Sequence, residues 1–141
     1  MHEKTNGAAL PSVAALSYLG DCRHSLYVRR MLIERGLTKS IDLNREALFY
    51  VTAEAQARAY ERIADLLLED EQAVFRRAQN STHLNKPKRA SGRDYRLATG
   101  FEAVIGMLEW LGDSERLDML LSAAHENKNK TTGDNKDDSE D

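Results

Sequence analysis

Apolar positions recur along this chain at intervals of three and four, and no stretch alternates with the two-residue period of a strand. The pattern predicts an all-α fold. Helix one is expected over about 13 to 35. Ser12, after Pro11, supplies a side-chain oxygen for the first free amides, and Leu16, Leu19, Cys22, Leu26 and Ile33 repeat at helical spacing until Gly36. That stripe, Cys22 included, is read as facing the core. Asn44 is expected to cap a short helix through Tyr50, and Thr52 a longer one through "AEAQARAYERIADLLLE", a run of good helix formers. "EDEQAVFRRAQ" opens with acids and closes with arginines, which suits the helix dipole. Residues 80 to 92 lose all periodicity and read as a mobile basic loop. The strongest period starts at Asp94, where Leu97, Phe101, Val104, Leu108 and Leu111 line one face. Gly112-Asp113 then makes a stop and a new cap, and a last helix over about 114 to 126 carries Leu117, Leu120 and Leu121.

Composition narrows this picture. A length of 141 residues suits one domain with a real core. Its expected extent is 11–125, with a basic loop at about 78–93, a flexible start at 1–10 and a disordered acidic tail at 126–141. The single cysteine, Cys22, excludes an internal disulfide and fits a reducing compartment. With no signal-like start and no apolar run of spanning length, the expectation is a cytoplasmic protein without membrane contact. The net charge of −3 resides in the tail, leaving residues 1–125 neutral. Against that neutral body the stretch from Arg76 to Arg96 is strongly basic, with Asp94 its one acid.

Two isolated acids, Asp21 and Glu102, stand beside the apolar stripes of two helices that also carry Gly20, Gly100 and Gly106. Glycine inside a helix costs about 1 kcal/mol relative to alanine, so these positions suggest close approach by another helix or a ligand. Arg23 and Arg96 offer an ordinary alternative, in which the acids are surface salt-bridge partners. His24 lies two residues from Cys22 and points elsewhere on a helix, so no thiol–imidazole pair is expected. His2, His83 and His125 are assigned to tails or loops without metal-ligand spacing.

Four separated segments, "YLGDCRHSLYVRR" (18–30), "NREALFYVTAEAQA" (44–57), "FRRAQN" (75–80) and "YRLATGFEAVIGMLEWL" (95–111), together resemble Mini-ribonuclease III, the ribonuclease III relatives built of a catalytic domain alone. The resemblance covers about residues 10 to 125. It implies a single ribonuclease III-like helical endonuclease domain, working as a homodimer. In ribonuclease III proper an acid stands at each of the positions of Ser17 and Thr99, so only Asp21 and Glu102 remain of four, as in the Mini-III branch. The resemblance implies Asp21 and Glu102 as catalytic residues and Mg²⁺ ligands, with Ser17 and Thr99 supporting them through metal-bound water. Helical spacing agrees, since Ser17 lies one turn before Asp21 and Thr99 nearly one turn before Glu102. Arg76, Arg77, Lys86, Lys88, Arg89 and Arg93 are the candidate RNA-binding residues. Ala78 and Gln79 depart from the Gly and Arg common at those places. The implied substrate is double-stranded RNA, the implied task maturation of both ends of the 23S rRNA precursor, and the implied helper a large-subunit ribosomal protein. Two alternatives stay open: an RNA-binding protein of the same fold without turnover, and a helical protein-interaction module.

Overall fold

The computed structural model describes residues 9–81 and 92–125. All regular structure there is helical: α1 Val13–Glu34, α2 Ser40–Val51, α3 Ala53–Ile63, α4 Glu69–Asn80 and α5 Gly92–Leu111, followed by α6 over 114–125. A single 3-10 turn, Ala64–Leu66, links α3 to α4. Residues 82–91 and 126–141, where a basic loop with the expected RNA contacts Lys86, Lys88 and Arg89 and an acidic tail are expected, lie outside the described residues.

Helix boundaries follow local chemistry. The Ser12 hydroxyl accepts from the Ala15 amide at 3.1 Å, and the Thr52 hydroxyl accepts from the Ala55 amide at 3.2 Å, so both expected caps form. Gly36 and Gly112 adopt φ of 100° and 71°, ending α1 and α5 in the left-handed region that glycine tolerates. The Asp113 carboxylate then accepts from the Arg116 amide at 3.3 Å, opening α6. α2 departs from expectation. It starts at Ser40 rather than after Asn44, which lies exposed in its second turn, and Lys39 precedes it in extended backbone without a side-chain cap.

α5 is the central element. Leu97, Ala98, Phe101 and every residue from Ala103 to Leu108 are buried, so the helix is enclosed nearly all round rather than along one face. One apolar cluster joins it to α3, α4 and α6 through Ile63, Phe75, Leu117 and Leu121, and a second joins it to α1 through Leu16 and Met107. Tyr60 stacks on Phe75 with ring centroids 3.9 Å apart and planes nearly parallel. Phe75 in turn sits against Gly100, where an added Cβ would come within 2.4 Å of the ring.

The buried line of α1 differs from the expected stripe. It runs Leu16, Gly20, His24, Val28 and Leu32, while Cys22, Leu26 and Ile33 are exposed. The reason is steric and polar together: a glycine and a histidine occupy two core positions, and hydrophobicity alone gives them no weight. Among the described residues no helix is long and apolar enough to cross a membrane.

Candidate active site

The site begins with a contact between backbones. A Cβ on Gly20 would stand 1.7 Å from the carbonyl oxygen of Glu102, and one on Gly106 would stand 1.8 Å from that of Leu16. Only glycine lets α1 and α5 approach this closely. The Ser17 hydroxyl clamps the same crossing by donating to the Thr99 carbonyl at 3.0 Å. Asp21 follows Gly20 directly, and its carboxyl group stands near enough to that of Glu102 to act on it.

Electrostatics at this junction are unfavourable for the metal-free chain. Burial, and then the hydrogen bond and charge of Asp21, push the Glu102 carboxyl up to about 9, against a smaller lowering by Gln56. Two carboxylates this close cannot both ionise cheaply, so Glu102 keeps its proton through neutral pH. The salt-bridge alternative does not hold for Arg23, which turns away from Asp21 to Glu109 at 2.9 Å and Asp118 at 3.4 Å. Among the described residues no basic side chain is paired with Asp21 or Glu102, and no group of three or more potential ligands gathers around a metal position. Two oxygen-donor side chains with a surplus of negative charge nonetheless fit Mg²⁺, which keeps most of its water and is commonly held by one or two carboxylates.

Behind Glu102 lies a polar chain that helical periodicity did not reveal. Gln56 Nε2 is 3.4 Å from Glu102 Oε2 and 3.2 Å from His24 Nδ1, and His24 Nε2 is 2.9 Å from His125 Nε2. Gln56, His24 and His125 are all buried. His125 is thereby corrected: it belongs to α6 and the core, packed edge-on against Tyr50 at 5.3 Å, and not to a tail. The sequence signal that could have found it was its place one turn past Leu121 in an apolar helix.

A model of the Ribonuclease III domain matches residues 14–113. Mini-ribonuclease 3 of Symbiobacterium thermophilum is 43% identical over 119 residues, spanning 84% of this chain and 91% of that protein. The chain belongs to the Mini-ribonuclease 3 family. Its Streptococcus pneumoniae relative is 42% identical over 110 residues, covering 77% of this chain and 86% of its own. A crystal structure of a Fusobacterium nucleatum protein, 26% identical, superposes with a TM-score of 0.75 over 83% of this chain and 93% of that one. Membership of Mini-ribonuclease 3 makes this chain a ribonuclease III-type endoribonuclease.

Within this Mini-ribonuclease 3 chain the remaining candidates are distributed unevenly. Thr99 lies on α5 near the junction, but its hydroxyl donates to the Tyr95 carbonyl one turn back, at 3.0 Å. The protons of Ser17 and Thr99 are thus committed to backbone, and only their oxygen lone pairs remain for water. Arg76 and Arg77 are exposed near the end of α4. Arg93 is exposed too, but it pairs with Glu61 at 3.0 Å, within a surface network that includes Arg58 and Asp94. Sequence reading missed that partial neutralisation because Glu61 is 32 residues away.

Proposed function

We propose that this chain is a Mg²⁺-dependent endonuclease of double-stranded RNA in which Asp21 and Glu102 are the protein ligands of the ion. The observation that carries the reading is the acid pair, two carboxyls from different helices forced together by a backbone contact and answered by no basic side chain among the described residues. When bound, Mg²⁺ lowers the pKa of the attacking water and stabilises the leaving 3′ oxygen, giving a 5′ phosphate and a 3′ hydroxyl. Asp21 and Glu102 would hold the ion in their deprotonated forms, and the α1–α5 crossing fixes where that ion would meet the scissile phosphate. Ser17 stiffens that crossing, and the lone pairs of Ser17 and Thr99 orient nearby water.

Arg76 and Arg77, with the basic positions Lys86, Lys88, Arg89 and Arg93, supply phosphate contacts. A-form RNA hides its base edges in a narrow groove, so charge and groove shape are the usable features of the duplex. The natural substrate we assign is the 23S rRNA precursor in the cytoplasm, presented with help from a large-subunit ribosomal protein. A homodimer places two such sites on opposite strands. In support, Tyr18, Cys22, Leu26 and Ile33 form an exposed stripe along α1, with Tyr18 85% exposed, and apolar patches of this kind favour protein contacts.

The test is cleavage of a purified RNA duplex by the unaltered chain, Asp21→Asn and Glu102→Gln, in Mg²⁺ and in chelator. Internal cutting only by the unaltered chain and only with metal is expected, while both variants remain folded and bind duplex. Equal cutting by all three would refute the metal-site assignment.

A further inference from the structure

Gln56, His24 and His125 form a continuous polar path through an otherwise apolar core, linking α3, α1 and α6 to the inner side of Glu102. Buried polar groups are costly unless every donor meets an acceptor, and an apolar core of the same shape would avoid that cost altogether. The path therefore needs an account beyond packing. We propose that Gln56 is a positioning residue for Glu102, with its carboxamide orientation fixed by the ring nitrogens of His24 and His125 behind it.

The Gln56 amide nitrogen faces both Glu102 Oε2 and His24 Nδ1, so its two protons go one to each. His24 Nδ1 is then an acceptor, which places the ring proton on Nε2. That proton points at His125 Nε2, 2.9 Å away, which must accept and leaves the His125 proton on Nδ1. Burial keeps His24 neutral by drawing its pKa down to about 4, despite the opposing charge of Asp21. His24 also meets the edge of Phe101, with centroids 5.3 Å apart, one residue before Glu102 on α5. With Glu102 ionised and the His24 proton on Nε2, a flipped Gln56 amide would set its carbonyl oxygen against both a carboxylate oxygen and a lone pair on Nδ1. In that state, the one in which Glu102 would hold a cation, the path leaves Gln56 one favourable orientation, donor toward Glu102.

The consequence falls on the carboxylate. One oxygen of Glu102, Oε2, is held from inside the core by a donor. A donor fixed behind one oxygen limits rotation of the Glu102 carboxyl group, which is what an orienting neighbour supplies to a metal ligand. This inference rests on the reading of Glu102 as a metal ligand, and its test separates the two.

Mn²⁺ binding to the full chain without RNA, followed by calorimetry, is compared for the unaltered chain, Glu102→Gln, Gln56→Leu, Gln56→Asn, His24→Asn and His24→Leu. Loss of the donor in Gln56→Leu is expected to weaken Mn²⁺ binding about tenfold or more, as for other groups that orient metal ligands. His24→Asn keeps an acceptor near the place of Nδ1 and is expected to bind more tightly than His24→Leu. Nitrogen-15 spectra of the unaltered chain supply a readout that needs no variant to fold: His24 protonated on Nε2 and His125 on Nδ1. The opposite tautomers, or a Gln56→Leu protein that is folded and binds Mn²⁺ unchanged while Glu102→Gln does not bind, would overturn the role of Gln56. If Glu102→Gln itself binds Mn²⁺ unchanged, the metal-ligand reading fails first and takes this inference with it.

Discussion

Two glutamates lie inside this fold and experience opposite surroundings. Glu71, completely buried near the start of α4, meets the Arg116 guanidinium in a two-pronged contact of 2.7 and 3.0 Å, and also accepts from the Leu68 amide at 2.8 Å. Glu102 is less buried, yet its neighbours are another carboxyl and one amide nitrogen at 3.4 Å. Depth therefore does not distinguish a structural acid from a functional one. What separates the two is whether the protein itself supplies the balancing charge: at Glu71 it does, and at Glu102 no basic side chain among the described residues does, as the proposed metal-ligand role requires.

The sharpest way to break that contrast is to neutralise each acid in turn. Glu102→Gln is expected to lower kcat on duplex RNA by about 10³-fold or more, equivalent to roughly 4 kcal/mol of barrier, without loss of stability in metal-free buffer. Glu71→Gln should do the reverse, costing about 3 kcal/mol of folding stability because Arg116 loses its partner, while the protein that remains folded cuts at an unchanged rate. Urea unfolding and single-turnover cleavage of the same two variants read both quantities. A stable, inactive Glu71→Gln would mean that the contrast is misassigned.

A smaller effect follows from proton linkage. Folding raises Glu102 from an ordinary 4.5 to about 9, so its contribution favours the folded state fully below 4.5 and is lost as pH climbs toward 9. Metal-free stability of the unaltered chain, minus that of Glu102→Gln, should therefore decline over this interval. Millimolar Mg²⁺ should offset the decline, because cation binding displaces the retained proton. A pH-independent difference in urea midpoints would show that Glu102 ionises normally.

The smallest effect concerns surface cations, where the same rule of matched and unmatched charge applies. Arg93 is already answered by Glu61, whereas no described acid is paired with Arg76. Arg76→Ala is expected to reduce the salt dependence of duplex binding by about one unit of the log–log slope, and Arg93→Ala by less. Equal slopes from fluorescence titrations would place Arg93 against phosphate despite its ion pair.

Much of the architecture was legible before any coordinates, because helical caps and stops are written locally. Ser12, Thr52, Asp113, Gly36 and Gly112 each act within three or four residues of themselves. Asp21 and Glu102 stood out because acids interrupt small-residue helices. The structure supplies what local pattern cannot: Arg23 pairing with α5 and α6 instead of Asp21, and the burial of His24 and Gln56, polar residues to which a hydrophobic period gives no weight. The expected core stripe on α1 failed for the same reason, since the residue at the tightest point of the core, Gly20, has no side chain for a hydrophobic pattern to count.

That contact at Gly20 also determines what kind of tolerance the site possesses. With the Glu102 carbonyl pressed against a bare α-carbon, the two helices are already at their distance of closest approach, and refilling the apolar core elsewhere has no slack to take up there. The aperture between the acids is thus a property of the main chain, and it depends on glycine at both Gly20 and Gly106. In the proposed metal site, adjustment to ions of different radius would be left to carboxylate rotation and to water, the two parts that move without shifting a helix.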